Sequence, residues 1–309
     1  MHLLTRQTQL ADLPNCAKLI PSHHFSNGNS QTSLIELWEY LIGQSCAISA
    51  VIEDRTTNVH TIVGFGLSFC VPDSFIDQIS HNTEPYTTKT LISLWEAGDF
   101  PALTLTEIRT ANKANGLNVF GMHTIWGHPD QSDQESAPIR DRMLESLFAT
   151  HRGYNIRSFT KEIYGVIEKE RHESFGFSIR NEYNGVELAP NILKPYLIGM
   201  SREEALHPSL EGRHIRNLFL YSAPRCTFTS ADQELLQLAL TGLSETGISE
   251  RLKISKESVK SRWDSVYQHI PGVLDFEIFQ DGNITQKSRA LLHWVRNHPE
   301  ELQPTLFIP

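Results

Sequence analysis

The chain has 309 residues, 39% of them hydrophobic and 20% charged, which excludes a disordered or fibrous protein and leaves room for about two domains with their own cores. Lysine and arginine number 27 against 36 aspartates and glutamates, a formal charge of −9, so nucleic-acid contact must be local rather than spread over the surface. No run of about 18 apolar residues marks a membrane span, and the opening MHLLTRQTQLADLPN lacks the features of a signal peptide, which predicts a cytoplasmic chain. Residues 5–20 place Leu10, Leu13, Cys16, Ala17 and Ile20 at spacings of three and four and predict one amphipathic helix. Residues 33–43, SLIELWEYLIG, predict a second, with Ser33 and Glu36 at capping-box spacing and Gly43 at the exit.

Two β-branched and aromatic runs, CAISAVIED and HTIVGFGLSFCV, predict an antiparallel pair, with Gly64 and Gly66 marking a bulge or a close backbone approach. Residues 86–115 read as helix and loop, 116–126 as a strand, and the polar stretch GHPDQSDQESAP as a loop. Residues 138–153 predict a helix with Pro138 in its first turn and Ile139, Met143, Leu147 and Phe148 on one face; YNIRSFTKEIYG predicts a strand. This alternation indicates an α+β or α/β first domain over residues 1–184. Residues 185–226, with four prolines, read as a linker that packs on that domain, because LFLYSAP is too apolar for a free tether. Cys16, Cys46, Cys70 and Cys226 include no CxxC pair and read as reduced structural thiols.

Residues 227–309 predict an all-α domain. Thr229, Ser244 and Ser255 each stand where they can cap a helix, followed respectively by Leu235 and Leu236, by Ile248 and Leu252, and by Val259, Trp263, Val266 and Ile270. The last two helices join through the short turn at 252–255, a helix-turn-helix arrangement. The tail QKSRALLHWVRNHPEELQP predicts one more amphipathic helix, ended by His298-Pro299.

Residues 228–270 resemble the LuxR/GerE-type helix-turn-helix of bacterial transcription regulators. The family's central pattern is met by Gly242, Ser244, Ile248, Leu252, Ile254, Ser255, Ser258, Val259 and Lys260. Lys253 replaces the glycine usual in the turn, Gly247 an acidic residue, and Arg262 a histidine. The resemblance implies that Lys256, Ser258, Lys260, Ser261 and Arg262 face the groove or the phosphates of double-stranded DNA and that the protein works as a homodimer. Five basic side chains against six acidic ones across the stretch predict modest, salt-sensitive affinity.

For the first domain, the motifs of a phosphoacceptor receiver, an acyl-homoserine-lactone receptor and a phosphate-binding P-loop are all missing. Its order of elements is similar to the GNAT acetyltransferases, a mixed sheet with helices. Where that family binds the pyrophosphate of coenzyme A, residues 128–135 read HPDQSDQE, without the family's glycines and with three acidic groups. The expectation is therefore a non-catalytic sensing or dimerisation domain with a small-molecule effector, no cofactor and no catalytic residue. His123, His128, Asp130 and Asp133 fix no third metal-ligand position, His23 and His24 point apart, and Glu162, Glu168, Glu170 and Glu173 read as solvated carboxylates, so no metal site is assigned. Taken together, the sequence predicts a sequence-specific DNA-binding transcription regulator that is not an enzyme. The rival readings are an acyl-CoA-dependent N-acetyltransferase with an appended helix-turn-helix, and a protein-interaction module.

Overall fold

The computed structural model describes residues 1–21, 31–44, 46–127, 133–184, 192–270 and 284–303. The chain divides into two units, residues 1–151 with 155–220, and residues 152–154 with 221 onward. The first is built on seven strands: β1 (Leu3–Gln7), β2 (Ala47–Asp54), β3 (Thr61–Val71), β4 (Leu117–Trp126), β5 (Ile156–Tyr164), β6 (Ser178–Asn181) and β7 (Pro195–Ser201). Their order in the sheet is β1-β2-β3-β4-β5-β7-β6. Every neighbouring pair is antiparallel except β4 and β5, which run parallel. A parallel pair needs a crossover connection.

Among the described residues this unit carries eight α-helices: α1 (Leu13–Ala17), α2 (Gln31–Gly43), α3 (Asp73–His81), α4 (Thr87–Ala97), α5 (Leu105–Lys113), α6 (Asp133–His151), α7 (Val166–Ser174) and α8 (Arg202–Leu206). The crossover between β4 and β5 is α6. One core gathers α1 to α4 on the sheet around Leu34, Trp38, Leu41, Phe65, Phe69 and Phe120. A second, smaller core of Ile52, Val63, Ile139 and Met143 lies under α6. Gly64 and Gly66 belong to that contact. A Cβ at Gly64 would stand 3.0 Å from Ile52 Cγ1, and one at Gly66 3.1 Å from Met143 Sδ, so the glycines let α6 seat closely.

Three expectations are corrected here. The helix expected over residues 5–20 is divided: residues up to Gln7 form β1, which pairs with residues 50–54 of β2, and helical turns begin at Leu10. Arg6 on that strand pairs with Asp12 at 2.6 Å and Glu53 at 3.3 Å, contacts that a helix over the same residues would not offer. The helix expected from Pro138 starts at Asp133 and carries the proline inside it. Finally, the stretch 185–226 is more than a linker, because β7 lies between β5 and β6 and is almost wholly buried. Its sequence PYLIGMS has the near-continuous apolar run of a strand covered on both faces.

Among the described residues the regular structure of the second unit is helical: α9 (Ser230–Leu240), α10 (Glu245–Leu252), α11 (Lys256–Gln268), α12 (Ile284–Asn297) and a 3-10 turn at Pro299–Leu302. The three expected caps form, with Thr229, Ser244 and Ser255 each accepting from the backbone N–H three residues on. Leu235, Leu236, Ile248, Val259, Val266, Leu291 and Val295 fill the centre. Lys253 takes the left-handed conformation at φ 54°, the position where glycine is easier. Glu301, buried, accepts from the backbone N–H of Arg225 at 2.7 Å and of Cys226 at 2.9 Å. Among the described residues no helix is long and apolar enough to cross a membrane.

Candidate active site at the parting of two parallel strands

The seam between β4 and β5 is paired only along its first half. Five rungs run from Leu117↔Ile156 to Gly121↔Lys161, and there the ladder stops, although β4 continues to Trp126 and β5 to Tyr164. On its other side β4 stays with β3 to the end, but the register shifts so that Met122 is an extra residue between the pairs Ser68↔Gly121 and Leu67↔His123. A bulge increases local twist and bends its strand. Its place at the last rung gives the physical reason why β4 turns away from β5 there. Glycine relieves crowding at that rung: a Cβ on Gly121 would meet the Phe159 ring at 3.1 Å and Lys161 Cβ at 3.3 Å, so those neighbours would have to give by a few tenths of an ångström.

Next to the opening lies a cavity of about 570 Å³, walled by the end of β4, α6, β5, α7 and residues 212–215. Its apolar lining includes Trp126, Phe148, Phe159, Phe175 and Phe177, and Arg140, Arg171 and Arg213 add cations. Size and lining are those of a small-molecule site. Lys161 reaches it because the two-residue period of β5 puts Phe159, Lys161 and Ile163 on one face. It is 7% exposed. Burial, opposed by the nearby Glu168 carboxylate, pushes the ammonium down to about 8. His172, on α7, is held neutral down to about 3 by burial and by the Lys161 charge, and its Nδ1 donates to the Glu168 carbonyl at 2.8 Å. That tautomer leaves Nε2 as an acceptor.

Glu162 alternates to the opposite face and is not the solvated carboxylate expected. It accepts from the backbone N–H of Tyr86 at 3.0 Å and of Thr87 at 3.1 Å, and from the Tyr164 hydroxyl at 2.6 Å. Burial raises its pKa against these bonds. A carboxylate answered from three sides at the start of α4 fixes that helix to β5 and has little capacity left for proton transfer. Ser68 and His151 also form a buried pair, 2.6 Å apart, with His151 held neutral down to about 4 by burial. The adjoining space is about 20 Å³, too small for a substrate, so the pair is structural.

The residues singled out by sequence fall elsewhere. Lys256, Ser258, Lys260 and Ser261 are exposed on α11; Ser258 N–H donates to Ser255 Oγ at 3.1 Å, and Arg262 is paired with Glu234 at 3.2 Å. His123 is buried against Trp38 and Phe65 as a core histidine. His23, His24, His128 and Asp130 lie outside the described residues, as does most of the expected phosphate-loop stretch. Among the described residues no group of three or more His, Cys, Asp or Glu stands close enough to hold a metal ion. The four cysteines are buried and free. Sequence reasoning missed Lys161, for which the signal was a lysine at a core-facing position of the alternating run IRSFTKEIY.

No family model and no curated protein matches the sequence. Solved structures do. The chain is similar to the NatC complex bound to Gag peptide and CoA, at 9% identity and TM-score 0.37 over 65% of this chain and 99% of that one. It is similar to arylalkylamine N-acetyltransferase 2 from Aedes aegypti at 8% identity and TM-score 0.39, with 65% and 99% covered. It is also similar to Arabidopsis thaliana NAA60 in complex with a bisubstrate analogue, at 11% identity and TM-score 0.39 over the same shares. The likeness extends to a mixed sheet with helices in the N-terminal region and no further. Acetyltransferases recur among these structures, and the expectation of a non-enzymatic, DNA-binding transcription regulator partnered by double-stranded DNA finds no counterpart there and is withdrawn. The long pattern over 228–270 is accounted for by packing and capping: Val259 and Val266 are in the core, Ser244 and Ser255 cap helices, and Lys253 makes the turn.

Proposed function

We propose that the chain is an acyl-CoA-dependent N-acyltransferase with an appended helical unit. The observation that supports this reading is the parting of β4 from β5 at Gly121 and Lys161 beside a 570 Å³ cavity between α6 and α7. Two strand edges that stop pairing present backbone N–H and C=O groups which an extended amide chain can satisfy, as an added strand would. The pantetheine arm of coenzyme A is such a chain. The arm fits the aromatic lining, and Arg140 and Arg213 supply charge for its phosphates in place of the glycine loop that residues 128–135 lack. When bound, the coenzyme supplies an activated thioester. The protein's own share is orientation and exclusion of water: the β4 edge beyond Met122 aligns the arm, and Trp126, Phe148 and Phe177 cover it.

The acceptor class is a primary amine. The test is release of free thiol from acetyl-CoA in the presence of a panel of amines and amino-terminal peptides. Amine-dependent release that is lost in Gly121→Val is the expected result, because the added side chain collides with Phe159 and Lys161 and closes the seam. Release from no member of the panel contradicts the reading.

A further inference from the structure

Lys161 is a buried, cavity-lining group that the proposed reaction leaves unused. Its side chain lines the cavity, it stands on the last rung of the parallel seam, and it is nearly inaccessible to bulk water. Among the described residues its ammonium makes no hydrogen bond and no ion pair. The nearest acid, Glu168, is already engaged by Arg171 and lies 3.7 Å from His172. An amine in these surroundings with its pKa at about 8 carries a free electron pair in about a tenth of molecules at pH 7, far more than a solvated lysine near 10.4. Packing alone does not call for an amine here, since methionine fills a similar volume without the desolvation cost.

We propose that Lys161 is itself an acyl-acceptor site, modified on Nζ by the CoA thioester held in the same cleft. The inference rests on the acyltransferase reading. In the step, the Nζ lone pair attacks the thioester carbonyl carbon, the N–C bond forms and the C–S bond breaks. The sulfur departs with its electron pair and takes up the proton that nitrogen loses, so the products are the amide and the free thiol, with no further reactant. The amide is uncharged. Burial then no longer opposes it, and the added acyl group occupies cavity volume beside Phe159 and His172.

The experiment incubates the full-length chain with acetyl-CoA near neutral pH and maps acetyl groups by peptide mass, with CoA binding followed in parallel by calorimetry. Lys161 is expected to reach at least about ten times the occupancy of the exposed Lys256 and Lys260, following the larger share of free amine. In urea-unfolded chain the preference disappears. Lys161→Arg loses that mark while keeping its thermal unfolding midpoint close to the parent's, which separates loss of the site from loss of the fold. Saturable CoA binding without preferential marking of Lys161 overturns this inference and leaves the acyltransferase reading standing. Absence of saturable CoA binding overturns both.

Discussion

Buried acids and buried bases fare differently: the acids are met by donors in both units, as Glu53 and Glu162 are in the sheet unit, and the contrast lies with the buried bases of that unit. In the helical unit a buried charge is met by donors: Asp232, 1% exposed, accepts from the Thr229 N–H at 2.8 Å and its hydroxyl at 2.7 Å, and Glu301 from two backbone N–H groups. In the sheet unit the buried groups Lys161, His151 and His172 are instead pushed toward their neutral forms. A satisfied charge speaks of stability, since it caps a helix or ties a tail. A buried amine left facing a cavity contributes no such bond and points to the chemistry that the cavity performs.

Acid exposes the contrast most strongly. Below about pH 6.5 the unfolded chain's imidazoles take up protons, whereas folded His151 resists to about 4 and His172 to about 3. Stability is therefore full above about 6.5 and falls as pH drops, by about 3 kcal/mol for His151 and at least as much for His172. Thermal unfolding of the sheet unit between pH 7 and pH 4 measures this, and a midpoint that does not move contradicts it. Glu301→Ala comes next. It strands two backbone N–H groups and is expected to cost the helical unit about 3 kcal/mol in denaturant unfolding. Lys161→Met has the opposite sign, raising stability by about 1 kcal/mol because a desolvated charge is replaced by an apolar side chain. Destabilisation there means that the ammonium has a partner after all. The smallest effect is expected for Arg262→Ala, whose half-exposed pair with Glu234 is worth within about 0.5 kcal/mol.

The same contrast shows which parts of the molecule were legible in the sequence. Helices with caps and a periodic apolar face, α9 to α11, were legible because both signals are local, and α12 was legible from its apolar period alone. So was the hairpin of β2 and β3; Gly64 and Gly66 signalled a bulge or a close approach, but not that α6 is what seats there. The first strand was hidden by a helical period that begins only at Leu10, and β7 by prolines that suggested a linker packed on the first domain. The order of elements was similar to that of the acetyltransferases, but the absence of phosphate-binding glycines turned the functional reading away from them. The site itself depends on a register shift at Met122 and on the place where one ladder ends, neither of which has a local residue pattern. The pattern over 228–270 misled for the converse reason. Its caps, turn and core positions are demands of three packed helices, and they carry no information about what the exposed face touches.

The central claim is that the parting of β4 and β5 receives the arm of coenzyme A. Calorimetric titration of the intact chain with acetyl-CoA, alongside Gly121→Val, tests it most directly. The account predicts one saturable site per chain in the parent and none in the variant, with the variant still folded by circular dichroism. Equal binding by both, or no heat from the parent at millimolar ligand, contradicts it.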